Sequence, residues 1–298
     1  MFSRRHPVLF FLLMMACCAT AMFLGVVALI FVSTKMVDTA APYKEPGANI
    51  GIIEVTGPIL SSRKIIEHIT SFRENDSIQA IVVRVDSPGG GIGPSQEIFR
   101  ELTKTRKTKK VVASMGSVAA SGGYYVAAAA EGIMANPGTI TGSIGVIMEY
   151  VNIMEVAKKI GISPVVIKSG EFKDMGSPLR ELGENEKKLL QQLVDELHLQ
   201  FVTDTANARN ILQEDMTKLA DGRIYTGQSA LAHNLIDRLG NLDDAVQWAG
   251  ELAGIEGTLV PTYPKETPIS FLRKIAQTLF KDLHISGTVT DNFRYIIN

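Results

Sequence analysis

Beyond residue 18 the chain has no cysteine. Its only two, Cys17 and Cys18, are adjacent inside an N-terminal apolar run, so the rest lacks disulfides, thiolate metal sites and a cysteine nucleophile. Net charge is missing too: 30 Lys and Arg against 31 Asp and Glu leave −1, and so balanced a chain offers no basic field to a nucleic acid. Histidine is scarce. His68, His198 and His233 fall within expected helices, His6 precedes the apolar run and His284 is close to the C-terminus. None sits in a glycine-bounded loop, which leaves a Ser-His-Asp triad without a good base. No HExxH or comparable spacing points to a metal, and no GK[ST] ending or full GxGxxG spacing supports a nucleotide cofactor. No cofactor is expected. The chemistry is left to serine, lysine, aspartate or glutamate.

What is present begins with Val8 to Val32, 25 residues without a charge. At helical rise they span about 37 Å, enough to cross a bilayer with some tilt. Arg4 and Arg5 precede this run, so the positive-inside tendency holds the N-terminus in the cytoplasm and sends the remainder across. The rivals are a cleaved signal peptide, whose apolar core is normally shorter, and a lipoprotein modified at Cys17, past which the apolar run continues. Asp38 to Asn49, with Pro42, Pro46 and Gly47, reads as a linker.

From Ile50 the pattern is α/β. Strands are expected at Ile50 to Val55, Ala80 to Val85, the start of Val111 to Ala130, Gly132 to Ala135 and Pro164 to Lys168. Helices are expected around Ile65, Ile66 and Ile69, after Pro94, over Asn152 to Ile160, over Glu184 to Arg209 and over Leu242 to Leu252. On the long helix, Leu189, Leu190, Leu193, Val194, Leu197, Phe201 and Val202 mark the buried face. Ser270 to Leu283 is amphipathic and fits a partner subunit or a membrane surface.

Two strand ends carry the chemistry. The second strand runs into Asp86-Ser87-Pro88-Gly89-Gly90-Gly91, where glycines let the backbone aim bare N–H groups into a cleft, or simply turn the chain. In VVASMGSVAASGGYYVAAAA, Ser121 falls at a strand-to-helix junction, presented rather than buried, with its own N–H and that of Gly122 free to face an oxyanion. The plain alternative is a small-residue helix start packed under a sheet. Gly142 and Gly145 imply a sharp bend around Ser143. A serine nucleophile needs a base, and with histidine unplaced a neutral lysine is the remaining choice. Lys173 lies between glycines in SGEFKDMGSP. Bringing a lysine from about 10.4 to near 7.5 is on the order of 4 kcal/mol, within reach of burial. Asp174 and Glu171 must then turn away, leaving an oxygen such as the Ser143 hydroxyl to orient the amine.

Taken together and in this order, DSPGGG (86–91), MGSVAASGGYY (115–125), TGSIGV (141–146) and SGEFKDMGSP (169–178) resemble the signal peptide peptidase A family of Ser-Lys proteases, short form. The resemblance covers about residues 50 to 255. It implies a Clp protease and crotonase type of α/β fold, built from repeated β-β-α units behind one N-terminal transmembrane helix. By position it implies Ser121 as nucleophile, Lys173 as general base, Ser143 as the residue that orients the lysine, and Gly90 and Gly122 as oxyanion-hole donors. It also implies hydrolysis of remnant signal peptides, at the inner membrane of a bacterium, by a homo-oligomeric ring in which serine and lysine come from neighbouring subunits. The expected division is a cytoplasmic N-terminus (1–7), a signal-anchor (8–32), a linker (33–49), a protease domain (50–255) and a tail with an amphipathic helix (256–298). Two other classes keep the fold: a crotonase-like acyl-CoA enzyme, whose activity would survive Ser121→Ala, and an inactive membrane scaffold.

Overall fold

A computed structural model describes residues 6–39 and 47–264, which fall into two compact units. The expected amphipathic segment Ser270 to Leu283 lies outside them. One unit holds helix α1, Pro7–Thr39, long and apolar enough to cross a membrane, with its Val8–Gly25 stretch entirely uncovered by protein. The helix runs past Val32, where the linker was expected to begin. Residues 33–39 include neither glycine nor proline, so no breaker stops it there.

The second unit is an eight-stranded sheet. Strands β1 (Ile50–Thr56), β2 (Ala80–Ser87), β3 (Lys110–Ala120), β4 (Gly132–Ala135), β5 (Ile140–Gly142), β6 (Ile224–Thr226), β7 (Arg238–Leu239) and β8 (Pro261–Thr262) run in the order β6-β5-β3-β2-β1-β8. β4 pairs with β3 and β7 with β4. Every pairing is parallel except β5 with β6. β3 spans 11 residues and meets β4 at residues 112–115 and β5 at 118–120, so its far end projects toward the site.

Helices α2 (Arg63–Glu74), α3 (Ile92–Thr105), α4 (Gly122–Ala128), α5 (Met154–Lys159), α6 (Glu184–Arg209), α7 (Gln213–Leu219), α8 (Gly227–Ala232) and α9 (Leu242–Ala253) complete the unit. Both faces of the central strands are covered, which is why AIVVRV reads as a nearly unbroken apolar run. Ile53, Val55, Ile81, Val83, Val85, Val111, Ala113 and Met115 join a core with Ile69 of α2, Ile98 and Leu102 of α3 and the small residues of α4. Ile52, Val82 and Val112 pack instead with Ala245, Trp248 and Ala249 of α9.

Pro164 to Lys168 forms no strand. Val165 and Ile167 are 88% and 97% exposed, and among the described residues no strand pairs with this β-branched stretch. The expected helix Asn152 to Ile160 is trimmed to α5. On α6 the apolar stripe is covered only toward its C-terminal end, where Phe201 and Val202 are buried while Leu189 and Leu193 are exposed.

Candidate active site

Ser121 is the single residue between β3 and α4, and it turns the chain with φ 51° and ψ −122°. Side chains other than glycine's rarely adopt that region, at a cost of about 1–3 kcal/mol. Neighbours hold it there. The Ser121 N–H donates to Gly142 O at 2.8 Å and the Tyr125 N–H to Ser121 O at 2.9 Å. The Thr141 hydroxyl locks β5 to β3 through Ala119 O at 2.7 Å. Two expectations are corrected here. Ser121 is 1% exposed, enclosed in a cavity wall rather than presented. Its own N–H is engaged by Gly142, so it is not an oxyanion donor.

The glycine loop comes from β2. Ile59 pins it on both sides, its N–H donating to Gly89 O at 2.8 Å and its carbonyl accepting from Gly91 N at 2.9 Å. The Gly89 N–H donates to the Ser87 hydroxyl at 3.1 Å. Among the described residues no acceptor meets the N–H of Gly90 or of Gly122. The two donors are close: a Cβ built on Gly122 would lie 3.3 Å from Gly90 N. Gly89, at φ 107°, backs onto the serine, since a Cβ there would lie 2.8 Å from Gly122 N and 2.9 Å from Ser121 Cβ.

Ser121, Gly90 and Gly122 share the wall of one cavity enclosing about 290 Å³ including its mouth. Apolar side chains from three regions close it: Ile92 from α3, Val146 from the loop after β5, and Leu197 and Phe201 from α6. Tyr125 also contributes, its ring 4.5 Å from that of Phe201 and 5.0 Å from that of Phe99. Its hydroxyl donates to Asp204, and burial, with that carboxylate beside it, pushes the phenol well above its usual range. Ser95 spends its hydroxyl on Gly91 O at 2.9 Å. The Ser121 hydroxyl has no partner among the described residues.

Among the described residues no lysine, histidine or carboxylate lines this cavity. Lys173 is exposed, in a turn whose N–H donates to Gly170 O at 3.2 Å. Ser143 is half-buried at φ 51°, with its N–H on Arg223 O at 2.8 Å, and among the described residues its hydroxyl makes no bond to Lys173. One chain therefore brings Ser121, Gly90 and Gly122 together and leaves Lys173 and Ser143 outside the cavity wall. Asp174 is turned to Lys168 and Arg180, at 2.7 and 2.9 Å, and hydrogen bonds from Arg180 foremost hold its carboxyl well below the usual range. Sequence reasoning passed over Arg180, Tyr125 and Ser95 and took Leu197 and Phe201 for core. Their i, i+4 spacing fits either role.

Residues 103–256 match peptidase family S49. A protease-named protein of Synechocystis sp. is 46% identical over 227 residues, which are 76% of this chain and 82% of that protein. A protein of Enterococcus faecium with the name signal peptide peptidase SppA is 35% identical, over 73% of this chain and 65% of its own length. The chloroplastic serine protease SPPA of Arabidopsis thaliana is 35% identical over 69% of this chain and 30% of its own length.

Proposed function

We propose, from the premise that this chain belongs to peptidase family S49, that it is a membrane-anchored serine endopeptidase in which Ser121 is the nucleophile and Lys173 the general base. Neutral Lys173 takes the Ser121 Oγ proton as Oγ bonds to the scissile carbonyl carbon. The carbonyl oxygen becomes an oxyanion that accepts from the N–H groups of Gly90 and Gly122. Collapse breaks the C–N bond, and the leaving amine takes the proton back from Lys173. Water then attacks the acyl ester, gives its proton through Lys173 to Ser121 and releases the carboxylate. The observation that carries this reading is the pair of unpartnered backbone donors beside a strained, enclosed serine.

Lys173 reaches a serine across a subunit boundary in this reading, with Ser143 orienting the amine in the assembled site. The exposed Val165, Ile167, Leu189 and Leu193 favour it, because a neighbouring copy in a ring would cover apolar surface that one chain leaves in water. The apolar cavity suits the side chains of remnant signal peptides. The helix α1 and the arginines before Val8 support a reading in which the N-terminus stays in the cytoplasm of a bacterium and the catalytic unit lies outside its inner membrane.

The test is to label the full chain in detergent with a serine-reactive fluorophosphonate. Wild type is expected to label, Ser121→Ala and Lys173→Ala not, and a mixture of the two variants to recover part of the signal. Labelling that persists in Ser121→Ala removes the mechanism. A mixture that stays silent removes the shared site.

A further inference from the structure

The geometry points to Arg180 as a positioning residue for the general base: its guanidinium holds the carboxylate of Asp174, the residue next to Lys173, and ties the lysine turn to the start of α6. This rests on Lys173 being the base. Arg180 Nε and Nη2 donate to the two Asp174 oxygens, each at 2.9 Å, and Nη2 also to Asp174 O at 3.0 Å. Nη1 donates to Glu186 Oε2 at 2.8 Å and to Glu181 O at 2.9 Å, and Nη2 reaches Glu186 Oε1. All three guanidinium nitrogens are thus engaged, between two carboxylates and two backbone carbonyls.

These groups are largely shielded, with side-chain exposures of 15% for Asp174, 9% for Glu186 and 30% for Arg180. Glu186 in turn accepts the Gly183 N–H at 2.8 Å, which caps α6. Lys168 completes the charge balance on Asp174 at 2.7 Å and also donates to Glu171 O. Glu171 and Glu184 line the same hollow. Without Arg180 the Asp174 carboxylate keeps Lys168 as its cation partner but loses the guanidinium, and a less fully neutralised Asp174 beside Lys173 favours the protonated amine, the form that cannot act as base.

The experiment uses the full chain in detergent and an apolar fluorogenic peptide, with kcat/KM followed against pH for wild type, Arg180→Gln, Arg180→Lys, and Arg180→Gln combined with Asp174→Asn. In Arg180→Gln the midpoint of the rising limb is expected to move up by about one pH unit, about tenfold less activity below it. Adding Asp174→Asn returns the midpoint to wild type. Arg180→Lys keeps the charge without the planar fork; it is expected to assemble as wild type and to move the midpoint in the same direction by less. A merely structural arginine would lower activity at every pH and leave the midpoint alone. A wild-type midpoint in Arg180→Lys overturns the inference even where Arg180→Gln fails to assemble, and so does a shift in Arg180→Gln that Asp174→Asn does not reverse. Lys173→Ala separates the two ideas. If it still labels with fluorophosphonate, the reading of Lys173 as base fails; if it is silent while the arginine variants keep their midpoint, only the role of Arg180 fails.

Discussion

Ser121 occupies a backbone conformation whose mirror image is ordinary extended chain, and only glycine is indifferent to that reflection. Ser121→Gly is therefore expected to raise the denaturation midpoint, by about 1 kcal/mol in stability, while abolishing fluorophosphonate labelling. Urea unfolding followed by circular dichroism checks the first part. The converse applies at Gly89, where a Cβ would press on both the serine and the Gly122 N–H at a φ of 107°. Gly89→Ala is expected to cost about 1–3 kcal/mol and, by displacing one donor, to slow acylation roughly 100-fold or more. Stopped-flow acylation rates decide it, and a near wild-type rate would show that the loop does not shape the oxyanion site. At this scale the sequence was legible in part: the triple glycine after β2 admitted bare donors or a plain turn, and of its three N–H groups only that of Gly90 has no partner among the described residues. The enclosure of Ser121 was not legible, because its walls come from α3 and α6, far away in the chain, and local spacing says nothing of which helix closes over which strand end.

Among the elements, β1, β2 and β4 and the long helix α6 lie where periodicity put them, since apolar runs of strand length ended by glycine and a long 3.6-residue stripe leave few other solutions. The segment around Val165 misled for an instructive reason. It has the composition of a strand, but a strand also needs an edge to pair with, and among the described residues no strand pairs with it. On the proposed ring, Ile167→Asp is expected to leave the α/β unit folded and to run as a monomer in light scattering, with labelling lost. The turn from Lys168 to Glu186 carries a separate prediction. Arg180 and the Gly183 N–H lower the Glu186 carboxyl to about 2, and Asp174 is lowered by Arg180 and Lys168. Depressed carboxylates contribute stability that is fully present above the ordinary value of about 4 and lost as pH falls toward the folded one. Pepsin cleavage within 168–186 is thus expected to be slow near pH 4 and to accelerate toward pH 2; cleavage that stays flat over that interval would deny the cluster its role in ordering the turn.

For the whole molecule, α1 and the α/β unit belong to separate compact units, so in the proposed reading attachment and catalysis fall to different stretches of the chain. Spheroplasts of a bacterium expressing the full chain are expected to lose residues 47–264 to external protease K, and intact inverted vesicles to protect them; the opposite pattern would reverse the orientation. The exposure of Lys173, far from unusual for a lysine, has a consequence of its own if the site is shared. A solitary copy newly inserted in the bilayer would be inert toward its surroundings. Proteolysis would switch on only once enough copies meet, so output would climb faster than gene dosage, and a cell could keep the enzyme harmless simply by keeping it sparse.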